Sequence, residues 1–359
     1  MRIKFIKKII IISILYFLLI LKNNGNEYLK REININPNEN NEKNIFEKLM
    51  LASTLIKIYS DIYDYSREGY IKPIFSNKIR DYSSNKKKLN ICICSIGKNE
   101  NLYIREFVEY YFKLGIDKIF IYDNNELEGE NFNVVLRDYI ESKFVEIIDV
   151  RGLFAVQIPI YNYCYRKNKD VYDWIGFLDF DEFLFIENKE TIKSYLYHER
   201  FNKCQSIFFN WILFNDNNLI KYDNRSLINR FTSPTLKYNQ GKSFVRGKIN
   251  NLIIPTTHIP GININSFCNS KGELIYPDNF FGYKFEEKPK AYIKHFYTKT
   301  VEEFCAKLKK GDAHFHKDHA KYIISIQERI KLFFKLNKKT NEKLKLLEKC
   351  INIKIKINR

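Results

Sequence analysis

Between residues 90 and 181 the chain alternates short apolar runs with longer segments of helical spacing, and that alternation narrows the folds open to it. Residues 90–96, 118–122, 144–150 and 174–180 read as strands. Residues 101–114 put Ile104, Phe107, Val108 and Tyr111 on one helical face, with Gly115 as the stop. Residues 134–140 and 158–166 read as further helices, the second with Pro159 in its first turn. Repeated β-α-β units imply an α/β domain: a mostly parallel sheet with helices on both faces. Such sheets offer ligand contacts beyond the carboxyl ends of their strands. After Asp181 the pattern changes. Residues 204–214 and 243–249 read as strands joined by loops. Thr300 opens a helix to Lys310, with Glu303 completing a capping box and Gly311 as its stop. Residues 320–336 form a further amphipathic helix, and the basic tail beyond reads as peripheral.

The amino terminus reads differently. Arg2, Lys4, Lys7 and Lys8 precede an uncharged run, residues 9–21. That run is shorter than the roughly 20 residues a spanning helix needs, which suits a signal-peptide core. No small-residue cleavage site follows, which favours an uncleaved signal anchor over a cleaved signal. The basic head then stays in the cytoplasm and the rest lies outside it, a single-pass type II membrane arrangement suited to a Golgi or bacterial envelope membrane. Residues 23–44 are polar and Asn-rich, as in a flexible stem, and 45–65 carry helical spacing. The resulting organisation is an anchor over 1–22, stem and linker over 23–88, a folded domain over 89–312 and a basic helical extension over 313–359.

The formal net charge is +18, but the Lys residues are dispersed apart from residues 86–88 and the segment 331–359. No nucleic-acid-binding motif accompanies them, so a solvated basic surface is the reading and no nucleic acid is expected as a partner. None of the seven Cys forms a C-x-x-C pair, and their spacing argues against a zinc site. Cys92 and Cys94 share one face of a strand and read as buried free thiols. The odd count leaves at least one free thiol in an oxidising compartment.

The strongest chemical signal lies at the end of the fourth strand, where an apolar run delivers Asp179 and Asp181 one residue apart. Burying two carboxylates beside such a strand is costly unless a cation meets them. A hard divalent ion, Mn2+ or Mg2+, would satisfy them and bridge to a diphosphate, neutralising charge on a leaving group. An Asp-x-Asp pair alone is common in solvated loops; its place at the end of a buried strand makes it informative. A second polar cluster, with Lys98, Asn99 and Glu100, follows the first strand, where helix capping by Asn99 or Asn101 is the plain alternative. A third, Asp123 with Asn124 and Asn125, ends the second strand, either to bond a base or ribose or to form a turn. Three such clusters at the ends of neighbouring strands point to a nucleotide pocket. Lys242 and Arg246 flank a later strand, as phosphate ligands or as surface charge. His295 follows a strand-like run, as a metal ligand or a hydrogen-bonded core residue, and His258 poses the same question. His314, His316 and His319 do not share a helical face and read as a solvated loop.

These motifs together resemble glycosyltransferase family 92, within the broader GT-A nucleotide-sugar transferases. The matching pieces are Lys98 to Glu100; Phe107 to Tyr111 with the segment 114–117; Ile121 to Asn125; Gln157 with Tyr161 and Cys164; and Phe177 to Phe183. Trp211 to Phe214, Gly241 to Arg246, His258, and His295 to Phe304 with Lys307 and Gly311 follow in order. The resemblance implies a GT-A fold, a nucleotide-sugar donor (a UDP-sugar), a glycan acceptor, a type II membrane or secretory setting, inversion at the anomeric carbon and galactose as the sugar. Asp179 and Asp181 match the family's metal-binding pair, with His295 as a further ligand. Lys98, Asn99, Glu100, Asp123, Asn124 and Gln157 match its donor side. Inversion requires a general base for the acceptor hydroxyl; Asp216, after a strand of the second half, is the candidate, with Asp278 and Glu182 competing. Three positions depart from the family pattern: Gly97 stands where a bulkier apolar residue is usual, Phe296 follows His295 in place of Tyr, and residues 215–218 replace a Gly/Ser-rich turn. A non-catalytic carbohydrate- or nucleotide-sugar-binding protein on the same fold is the alternative reading, and a basic membrane-surface protein a third.

Overall fold

The computed structural model describes residues 89–153, 156–258, 266–276, 283–310 and 319–351. The anchor, stem and linker expected over 1–88 lie outside the described residues. The first half follows the alternation read from the sequence. Strand β1 (Ile91–Gly97) is followed by helix α1 (Ile104–Leu114), β2 (Lys118–Asp123), short helices α2 (Phe132–Val135) and α3 (Arg137–Glu141), β3 (Val145–Asp149), α4 (Gln157–Asn168) and β4 (Trp174–Phe177). Helix α1 buries Ile104, Phe107, Val108 and Tyr111 and ends at Gly115, whose φ of 96° is the left-handed conformation a C-terminal glycine supplies.

The second half supplies β5 (Glu182–Ile186), α5 (Ile192–Tyr197), β6 (Ser206–Phe214), α6 (Leu227–Arg230), β7 (Pro234–Arg246), β8 (Phe267–Cys268), β9 (Ala291–His295), α7 (Val301–Lys310), α8 (His319–Leu336) and α9 (Asn341–Ile351). The strands form one sheet in the order β3-β2-β1-β4-β7-β6-β9-β5, with β8 beside β6. Strands β3, β2, β1 and β4 are mutually parallel. Beyond β4 the sheet is mixed: β7 is antiparallel to β4, β6 to β7 and β5 to β9, while β9 runs parallel to β6. The parallel half is as expected; the second half differs because β6 and β7 pair as neighbouring antiparallel strands over most of their length.

Helices cover both faces. Ile91 and Ile93 of β1 join the core that contains Phe107 and Val108 of α1. On the opposite face, by the alternation of a strand, Cys94 is bonded to Cys164 of α4. A second disulfide joins Cys204 to Cys268, ahead of β6 and in β8. The free-thiol reading is thus corrected for Cys94 and stands for Cys92, which is buried and unbonded. That reading weighed the two neighbours on one strand, whereas the partner comes from the helix crossing that face.

Thr300 and Glu303 form the capping box of α7: Thr300 Oγ1 accepts from Glu303 N–H at 3.2 Å, and Glu303 Oε2 accepts from Thr300 N–H at 3.0 Å. Helices α7, α8 and α9 share a small core of Val301, Phe304, Leu308, Ile330, Phe333 and Leu347. Residues 341–351 are therefore packed on the domain, against the expectation of a peripheral tail.

Candidate active site

The carboxyl ends of β1, β2 and β4 open into one cleft of about 330 Å3, within the range of small-ligand sites. Ile96 to Lys98 and Glu100 line it after β1, Asn124 and Glu126 after β2, and Asp179 to Asp181 after β4. Trp211 of β6 and His295 of β9 form part of its wall, and Lys307, Lys310 and Arg329 contribute from α7 and α8. The order of the sheet explains this convergence. Placing β1 between β2 and β4 brings three strand ends together, and β9 returns His295 opposite Asp181.

The turn after β4 is tight. Asp179 N–H donates to Glu182 Oε2 at 3.0 Å, and Glu182 N–H donates back to Asp179 O at 3.1 Å. Phe180, between the two aspartates, turns into the core against Phe107 and Phe132. It also explains Gly97: a Cβ there would lie 2.2 Å from the Phe180 ring, so that ring fills the space of the larger side chain usual at this position. The next strand carries Asp181 to β9, where Asp181 O accepts from Phe296 N–H at 3.0 Å.

Charge is finely balanced in this turn. Asp179 accepts from Gln157 Nε2 at 3.0 Å, Tyr161 Oη at 3.2 Å and Lys242 Nζ at 2.9 Å. Burial pushes its carboxyl up, but the Lys242 ammonium outweighs that and leaves it below its ordinary value. Burial acts likewise on Asp181, and Lys307, His295 and Lys299 hold it well below the usual carboxylate range. Lys307 Nζ lies 3.0 Å and Lys299 Nζ 3.8 Å from Asp181 Oδ2. Glu182, fully buried, is pushed well up by burial, against the pull of Lys242. Lys242, equally buried, is raised because Asp179 and Glu182 overcome its desolvation. Burial lowers His295 below its ordinary value, so the ring is neutral near pH 7.

The sequence-derived candidates fall into three groups. Lys98, Glu100, Asn124, Gln157, Asp179, Asp181 and His295 line the cleft, and Lys242 reaches it through Asp179. Glu100 pairs with Lys310 Nζ at 2.7 Å, and Lys98 with Glu126. Asn99 and Asp123 adjoin the cleft as shaping residues. Asn99 adopts a left-handed φ of 54° and donates its N–H to Asn125 Oδ1. Asp123 is almost fully buried, with one carboxylate oxygen bound by Arg151 at 2.8 and 3.1 Å and the other by Asn125. Asp216 and Arg246 are placed elsewhere, which corrects the base and phosphate roles expected of them. Asp216 is buried in an ion pair with Lys343 of α9. Arg246 donates to the Cys204 and Phe201 carbonyls and stacks over Trp174, at the opposite end of β4. His258 stays beside Trp211, its Nδ1–H donating to Gly241 O at 3.2 Å.

Sequence reasoning gave no role to Lys310, Arg329 or Trp211. The three-residue spacing of Lys307 and Lys310 on one amphipathic helix was a usable signal. Nothing local marked Arg329. Three buried polar atoms of the cleft wall have no partner among the described residues: Glu100 Oε2, Trp211 Nε1 and His295 Nδ1. Buried polar groups are almost always satisfied, so these three are open to a water, an ion or a ligand.

Among the described residues no group of three His, Cys, Asp or Glu side chains converges as a ready ligand set. Asp181 Oδ1 and His295 Nε2, 3.5 Å apart, are two adjacent donors of the right chemistry for Mn2+ or Mg2+. Such ions are often held by one or two protein groups, with substrate phosphates and water completing the shell. The residues present therefore fit a metal that arrives with a phosphorylated ligand.

A family model described as glycosyltransferase family 92 matches residues 87–323. Similar proteins include a glycosyltransferase family 92 protein of Oryza sativa subsp. japonica, 27% identical over 111 residues, covering 31% of this chain and 19% of that protein. Another is the galactan beta-1,4-galactosyltransferase GALS3 of Arabidopsis thaliana, 30% identical over 126 residues, covering 32% of this chain and 25% of that one. The chain thus spans about a fifth to a quarter of the length of these relatives. Among solved structures, S. aureus TarS 1-349 in complex with UDP-GlcNAc is similar with a TM-score of 0.34 and 13% identity, over 73% of this chain and 79% of that one. That likeness is too distant to carry an argument.

Proposed function

The chain belongs to glycosyltransferase family 92, and from that premise we propose that its cleft binds a nucleoside diphosphate-sugar and transfers the sugar, with inversion, to a glycan hydroxyl. The observation that carries this reading is the meeting of Asp181 and His295 with the ammonium groups of Lys307 and Lys310 at the ends of β1 and β4. A departing diphosphate needs positive charge, and α7 supplies it through Lys307 and Lys310. A metal ion held by Asp181 and His295 would add Lewis-acid neutralisation of the same group when bound. Lys242 keeps Asp179 ionised and in place, and Gln157 fixes the orientation of its carboxylate. Asn124 donates to the Val150 and Leu153 carbonyls, which shapes the side of the cleft reached from β2. The mixed sheet, with its carboxylates just beyond the fourth strand, supports the GT-A assignment. The Arabidopsis relative is a galactosyltransferase by name, which makes UDP-galactose the first donor to test.

The two disulfides support an oxidising compartment for the domain. That agrees with a type II arrangement in which the domain lies outside the cytoplasm. No helix among the described residues is long and apolar enough to cross a membrane, and the anchor proposed for residues 1–22 lies outside them.

The experiment is a thermal shift with UDP and Mn2+ on the wild type and on Lys307→Met. Saturating UDP at about 100 times its Kd should stabilise the wild type by about 2.7 kcal/mol. The variant should need at least ten times more UDP for the same shift. Equal shifts in both proteins would contradict the placement of the diphosphate.

A further inference from the structure

Three cysteines take part in neither disulfide: Cys92, Cys305 and Cys350. Cys92 is buried within β1. The other two lie on adjacent helices of the carboxyl-terminal unit. In α7, Cys305 is four residues after Val301 and three before Leu308, both of which are buried in the core shared with α8 and α9. In α9, Cys350 is three residues after Leu347, which joins that core. Residues three or four apart on a helix share a face, so each thiol is carried to the seam between α7 and α9. There α7 and α9 pack directly against each other, Cys305 lies against the shared core, and the two thiols are close neighbours.

We propose that Cys305 and Cys350 form a third disulfide in the mature protein, clasping α9 to the helix that carries Lys307 and Lys310. The proposal rests on the oxidising compartment assigned above, not on the chemistry of the cleft. It accounts for all seven cysteines as three pairs with Cys92 left as the buried thiol. The reaction is thiol–disulfide exchange with the disulfide of a thiol oxidoreductase. One cysteine, as thiolate, attacks that disulfide to give a mixed disulfide and release the first oxidoreductase thiol. The second cysteine, having lost its proton, then displaces the other oxidoreductase sulfur. Two electrons and two protons thus pass to the oxidoreductase, which leaves as the dithiol. Burial and the neighbouring thiol push Cys305 above its ordinary value.

The clasp has a position of consequence. Lys343 of α9 holds Asp216, directly after β6, and α7 presents two cations to the cleft. Closing a loop of this length restricts the unfolded chain and fixes the two helices together.

The test is non-reducing peptide mapping of the full chain, produced through a secretory pathway and alkylated under denaturing conditions before digestion. The expected result is a peptide linking Cys305 to Cys350, with Cys92 alone alkylated. Alkylation of both Cys305 and Cys350 beside intact Cys94–Cys164 and Cys204–Cys268 links would overturn the clasp and spare the compartment. Alkylation of all seven would overturn both. Neither result touches the transferase reading, which is tested by nucleotide binding. As a second measurement, Cys305→Ser and Cys350→Ser should each lower the melting temperature by roughly 5–10 °C, and the double variant should lower it no further. Additive losses would contradict the bond.

Discussion

Lys242 shows how much one buried side chain decides here. Its ammonium is shared between Asp179 at 2.9 Å and Glu182 at 3.8 Å, and none of its surface is exposed. Replacing it with Met leaves two carboxyl groups without their cation. Asp179 is about a third exposed, so solvent softens the loss, and we expect a cost of about 3 kcal/mol in denaturant unfolding, the low end for breaking a buried pair. Asp181→Asn removes the carboxylate that Lys307 and Lys299 face, so it too should cost stability, and it should lower transfer at least a hundredfold. His258 supplies a pH signature. Burial and then Lys242 lower it from its ordinary value to about 4. Between pH 6.5 and 4 the unfolded chain takes up a proton that the fold refuses, so stability falls as the pH drops through that window. His258→Asn should therefore lose less melting temperature between pH 7 and pH 5 than the wild type. At this scale the sequence was informative where a residue ends a strand, as with Asp179 and Asp181. It misled at Arg246. Four residues along a strand span about 13 Å, so Lys242 and Arg246 on one strand cannot serve the same site.

Elements of the first half were legible because each strand and its following helix are neighbours in the chain. In the second half the strand at 206–214 and the helices at 301–310 and 319–336 were legible too, but β5, β9 and most of β7 were not, since β9 and β5 find partners far away in sequence and residues 234–242 of β7 are largely polar. Gly241 shows the resulting intimacy: a Cβ there would sit 2.0 Å from Phe209 O, so β6 and β7 approach closely only because it is glycine. Helix α7 is fixed at its start by a network that no local pattern announces. Beyond the capping box, Glu303 is held by Arg230 at 2.8 and 2.9 Å and by Tyr103 Oη at 2.8 Å. Glu303→Ala should cost about 3–5 kcal/mol, because Arg230 stays buried without its partner. With the helix start loosened, Lys307 and Lys310 lose their place, so the KM for the donor should rise more than kcat falls.

For the molecule as a whole, the basic balance of the chain becomes meaningful only around the cleft, where Lys307, Lys310, Lys98 and Arg329 surround a pair of aspartates. Net charge of this kind concentrates an anionic donor, and the effect weakens with salt. Dispersed lysines in the sequence carried no such information, because the fold decides which of them share a surface. The central claim, that this cleft turns over a nucleotide sugar with a divalent ion, is tested most directly by donor hydrolysis and transfer with the purified full chain. UDP-galactose would be offered first within a panel of UDP- and GDP-sugars, with Mn2+, with Mg2+ and with chelator, beside Asp181→Asn. The account predicts release of the nucleotide from one donor, lost with chelator and lost in the variant. Equal release in wild type and variant would contradict it.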